Sequence, residues 1–152
     1  MIPILALLFL TLPVSVPTTD PILPDPKLTP GAVEPSVTVE DLRHPEFIRA
    51  SRNVPDSLKE QVFIEYFGRV PEFRGDYEID HLISLELGGS NDLSNLWPQS
   101  YKTQPWNARK KDVLENKLHR MILSGEIGLR EAQNEIAENW IKAYKKYVGG
   151  DS

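Results

Sequence analysis

The stretch Tyr77-Glu78-Ile79-Asp80-His81-Leu82-Ile83-Ser84-Leu85 decides how this chain is read. Tyr77, Ile79, His81, Ile83 and Leu85 fall on one face and Glu78, Asp80, Leu82 and Ser84 on the other, which is the period of a β-strand. Gly88-Gly89-Ser90-Asn91-Asp92 then forces a loop, and Asn95 to Gln99 can return as a short second strand before Pro98 and Pro105 break the chain. From Trp106 to Leu123 the apolar residues recur at helical spacing. The order is strand, loop, strand, helix.

Two further helices flank this unit. Pro55 to Phe67 places Leu58, Val62 and Tyr66 at four-residue intervals with Gly68 as a stop, and Leu129 to Val148 spaces Leu129, Ala132, Ile136, Trp140, Ala143 and Tyr147 by three or four. The second helix is expected to seal the core, with its Trp and Tyr residues inside it. The chain therefore reads as an α+β domain.

Toward the N-terminus the character changes. Ile2 to Val16 is an apolar run, too short and too rich in proline to span a bilayer, and it reads as a secretory signal peptide over residues 1–16. The expected location is secreted or periplasmic, with no stable membrane span. Pro17, Pro21, Pro24, Pro26, Pro30 and Pro35 mark residues 17–36 as an extended linker. The folded domain is expected over 37–148, with its core over 77–123 and a frayed tail at 149–152.

The chain has no cysteine, which excludes disulfides, thiolate zinc sites and a cysteine nucleophile. Any metal must sit on His, Asp, Glu or Asn. The net charge is -5, but Tyr101 to Arg120 carries six basic residues (Lys102, Arg109, Lys110, Lys111, Lys117 and Arg120) against Asp112 and Glu115. Such a run is either a solvated helix face or a phosphate-binding stripe.

The chemistry concentrates where strand, loop and helix meet. A hard cation such as Mg²⁺ needs few protein ligands and takes the rest of its coordination from water and phosphate, a role that suits Asp80 and Asn107. His81 can act as a general base, because imidazole titrates closest to neutrality. Asn95 could hold the histidine and its loop in a working orientation. His44 and His119 read as surface histidines, and Glu78 as a solvent-facing strand residue.

Asp80-His81, Gly88-Gly89-Ser90-Asn91-Asp92, Asn95-Leu96 and Asn107-Ala108-Arg109-Lys110, in that order, resemble the HNH endonucleases, a family with a ββα-metal fold. The resemblance covers Tyr77 to about Lys111. It implies a ββα-metal finger with flanking helices, Asp80 and Asn107 as metal ligands, His81 as general base, Asn95 as the orienting asparagine, and Lys110 on phosphate with Arg109 and Lys111 beside it. The activity implied is endonucleolytic hydrolysis of phosphodiester bonds in DNA or RNA, assisted by one divalent cation. The other reading is a catalytically inactive nucleic-acid-binding or envelope-interaction module on the same scaffold.

Leu28-Thr29-Pro30-Gly31-Ala32-Val33, Leu85-Glu86-Leu87-Gly88-Gly89 and Asn95-Leu96-Trp97-Pro98-Gln99 are similar to small exported bacterial proteins of this kind. Many HNH enzymes have histidine where this chain has Asn107, which points to Mg²⁺ ahead of Mn²⁺, Zn²⁺ or Ni²⁺. One geometric demand follows. Successive strand residues face opposite ways, so Asp80 and His81 can converge on one phosphate only at a bend or strand end, and a flat, paired strand running through Ile83 would count against them.

Overall fold

The structure is a computed structural model that describes residues 20–149, so the expected signal peptide, residues 17–19 and most of the C-terminal tail lie outside the described residues. β1 (Tyr77–His81) and β2 (Leu96–Ser100) form one antiparallel pair. Their register sets Glu78 opposite Gln99, Asp80 opposite Trp97 and His81 opposite Leu96. Helices surround this ribbon: α1 (Val39–Leu42), α2 (Pro45–Ser51), α3 (Asp56–Phe67), α4 (Ala108–Ser124) and α5 (Leu129–Tyr147). The architecture is α+β.

Each long helix starts and stops for a visible reason. Asn107 caps α4 by accepting from Lys110 N at 3.2 Å, and Gly125 ends that helix at φ 79°, in the left-handed region that glycine enters without a Cβ clash. Gly68 ends α3 in the same way at φ 69°. Phe63 and Phe67 of α3 pack on Tyr77 at ring separations of 5.9 and 5.3 Å, so α3 covers the Tyr77–Ile79–His81 face of the ribbon. Helix α4 meets the Asp80 face.

α5 seals the other side of α4. Ala132, Ile136, Trp140 and Ala143 are fully buried, and Trp106 meets Trp140 and Tyr144 edge-on at 5.8 and 5.4 Å. Buried side chains such as Leu114, Leu118 and Ile136 each contribute roughly 1.5–3 kcal/mol relative to exposure. No helix among the described residues is long and apolar enough to cross a membrane.

The proline-rich segment corrects the sequence reading. It turns at residues 26–28, where Thr29 N bonds to Asp25 O at 2.7 Å, and from Asp20 onward it is part of the domain. Trp140 donates to Ile22 O at 2.9 Å and Tyr77 to Asp20 Oδ1 at 2.6 Å, while the buried Thr29 donates to Leu96 O at 2.9 Å. Gly31 N reaches Ser94 O, Glu34 N reaches Gly88 O, and Ser90 N reaches Ala32 O, each at 2.9–3.0 Å. Proline removes donors, but the carbonyls and the remaining amides still bond to distant parts of the chain.

Candidate active site

Among the described residues, β1 is paired along one edge only. Its free edge runs along a cleft of about 670 Å³ whose floor is Glu78, Ile79, Asp80 and His81. Arg52, Asn53 and Lys59 form one wall, from α3 and the connection before it; Asp112, Glu115 and Asn116 of α4 form the other. Because the cleft straddles a strand edge, it receives side chains from both faces. β1 ends at His81, so the strand does not run flat through Ile83.

Asn95 holds that strand end. It is fully buried; its Oδ1 accepts from Ile83 N at 2.9 Å and Ala32 N at 3.3 Å, and its Nδ2 donates to Ile83 O at 3.0 Å and Ser90 O at 2.8 Å. One side chain thus ties the 83–90 loop and the N-terminal segment together. Gly89 is required beside it, since a Cβ there would stand 1.7 Å from Ile83 O. Asn95 orders the loop and makes no hydrogen bond to the histidine.

The residue that holds His81 is Asn91. Asn91 Nδ2 donates to Ser51 O at 2.8 Å, which turns its Oδ1 toward His81 Nε2, also at 2.8 Å. Facing an acceptor, Nε2 carries the proton and donates, leaving Nδ1 as the acceptor of a neutral ring. Burial pushes the His81 pKa below its ordinary value, an effect that outweighs the Asn91 bond and the nearby Asp80 charge, which act the other way. A neutral imidazole with a free acceptor is what a general base requires.

Asp80 lies on the opposite face. Its Oδ2 is 2.7 Å from Lys111 Nζ, a close ion pair. Lys111 is itself fully buried, donates to His81 O at 2.7 Å and hydrogen-bonds Glu115 Oε1. The expectation that Lys111 meets phosphate is therefore corrected. Its ammonium faces three oxygens of its own chain.

Glu78 is corrected as well. It is half-buried, lines the cleft and accepts from the Tyr101 hydroxyl at 3.0 Å. Burial, followed by the charges of Asp80 and Asp112, raises its pKa; burial and Asp80 do the same for Asp112. The Tyr101 hydroxyl, buried beside Glu78, is pushed up to about 12. The cleft floor thus carries surplus negative charge.

Asn107 sits away from this cluster. Its amide serves the start of α4, with Nδ2 donating to Thr103 O at 3.0 Å and Oδ1 accepting from Lys110 N, and it does not line the cleft. Arg109 lies over the Tyr101 ring at 5.8 Å and Lys110 over the Tyr144 ring at 5.2 Å, and neither lines the cleft. The lining cations are Arg52 and Lys59. His44 is exposed between Glu40 and Glu46, and His119 is half-buried, with Nε2 3.0 Å from Leu42 O.

Among the described residues, no three His, Asp or Glu side chains are grouped so as to hold one metal ion. What the cleft offers is oxygen chemistry: the Asp80, Glu78 and Asp112 carboxylates line the same space, and burial together with their mutual repulsion raises the pKa of Glu78 and Asp112. That donor set fits a hard cation that keeps most of its water. It does not include Asn107. No family model, curated protein or solved structure matches the chain significantly.

Proposed function

We propose that the protein is a metal-dependent endonuclease, built on a ββα-metal finger, that hydrolyses phosphodiester bonds in DNA, with RNA as the alternative substrate. The observation that carries this reading is the opening of Asp80 and His81, from opposite faces of one strand end, into a single cleft.

His81 Nδ1 takes a proton from water as the water oxygen attacks phosphorus. The new P–O bond forms as the bond to the leaving oxygen breaks, and that oxygen is protonated from solvent. Asn91 holds the ring through Nε2, leaving Nδ1 as the accepting nitrogen of a residue that lines the cleft, and burial favours the neutral ring. Arg52 and Lys59 position phosphate by charge and read no base edges.

Asp80 would hold the divalent cation, Mg²⁺ or Mn²⁺, with Glu78 and Asp112 as the neighbouring carboxylates. Once bound, that ion supplies stabilisation of charge on the phosphate and leaving oxygens. The test is nicking of supercoiled plasmid by the purified chain. Cleavage is expected with Mg²⁺ or Mn²⁺ and is expected to stop with EDTA; nicking that persists unchanged in EDTA removes the metal from the account.

A further inference from the structure

The stripe that α4 turns inward contains two charges. Ala108, Lys111, Leu114, Glu115, Leu118 and Ile122 are all buried, so a lysine and a glutamate one turn apart occupy positions that an ordinary core would give to leucine. Burying an ion pair is a poor way to gain stability, since desolvation offsets the attraction. Where Lys111 points is therefore informative.

Its Nζ stands 2.7 Å from His81 O and 2.7 Å from Asp80 Oδ2, and it donates to Glu115 Oε1. One ammonium touches the backbone of the proposed base and the carboxylate of the proposed ligand at the residue where β1 ends. We infer that Lys111, braced by Glu115, is a positioning residue that fixes Asp80 and His81 relative to each other across the two faces of the strand. This rests on the nuclease reading above.

Lys111 engages Asp80 at Oδ2, which sets the rotation of that carboxylate. Its bond to His81 O holds the backbone where the chain turns out of the ribbon. Glu115 takes the remaining donor and keeps the ammonium from swinging toward the cleft. Lys111 itself is fully buried and does not line the cleft, so it acts from beneath the floor on groups that do.

The charge-neutral variant Lys111→Met/Glu115→Leu tests this. It removes one cation and one anion and keeps the buried volume, so the fold should persist. Three quantities are read: cleavage of a fluorescent oligonucleotide duplex with Mg²⁺, the melting temperature, and the imidazole proton signals of His81, assigned by their loss in His81→Ala. The expected result is a kcat lowered about 10- to 100-fold, as for residues that orient a ligand or base, with KM within about threefold of the parent. The His81 signals shift or broaden while those of His44 and His119 stay in place.

Glu115→Gln, which retains an acceptor for Lys111, should fall between the parent and the double variant. A folded double variant with parental kcat and unmoved His81 signals overturns the inference, and so does Glu115→Gln losing as much as the double variant. If the parent chain cleaves nothing, the nuclease reading fails by itself, and the His81 signals still decide whether Lys111 positions that ring.

Discussion

The two faces of β1 at its last residues are held by opposite means. On the α4 side, Asp80 is gripped by charge, through a buried ammonium shared with Glu115. On the loop side, His81 and the turn after it are gripped by neutral amides, Asn91 on the ring and Asn95 on the backbone. A base must stay uncharged, and amide partners orient it without adding a formal charge. A carboxylate is oriented instead by the charge-assisted contact with the ammonium.

The largest loss is expected on the charged side. Lys111→Met alone leaves Asp80 and Glu115 as buried carboxylates without a cation, which should cost about 3–5 kcal/mol in urea unfolding monitored by circular dichroism. The Glu115→Leu change added to it should recover the part of that loss owed to Glu115. Asn95→Ala comes next: it orphans Ile83 N, Ile83 O and Ser90 O inside the fold, and a loss of roughly 2–4 kcal/mol is expected in the same measurement.

Asn91→Ala should separate orientation from stability. Only the ring bond and the Ser51 contact go, so unfolding should shift by about 1 kcal/mol, whereas cleavage should fall about 10- to 100-fold. Equal activity in that variant would show that the ring is oriented by something else. The smallest effect is expected at Arg109, whose guanidinium covers Tyr101 outside the cleft: Arg109→Ala should move stability by no more than about 0.5 kcal/mol and leave the KM for duplex DNA unchanged, while Arg52→Ala raises it.

What was legible in the sequence were the features that depend on period and punctuation. The strand expected over Tyr77–Leu85 forms as Tyr77–His81, the second strand as Leu96–Ser100, and the helices over Pro55–Phe67, Trp106–Leu123 and Leu129–Val148 form within two residues of those limits. The docking of residues 20–36 was not legible, because its bonds reach partners 37 to 118 positions away and proline content describes only local stiffness. Lys111 and Glu115 look like solvated helix charges when charge is counted along the chain; only their place on the apolar stripe with Leu114 and Leu118 gives them away.

The asparagines were the hardest to assign. An asparagine just before a helix is by default an N-cap, and that is what Asn107 does. Asn95 and Asn91 sit four residues apart around one loop, and spacing alone does not say which of them turns to the histidine. Three-dimensional register decides between them.

The central claim is that His81 is the base at a strand end it shares with Asp80. Single-turnover cleavage of supercoiled plasmid by His81→Ala, beside the parent chain in saturating Mg²⁺, tests it most directly. The expected rate is at least about 100-fold lower, with plasmid binding and melting temperature unchanged. A folded His81→Ala protein that nicks at the parental rate contradicts it.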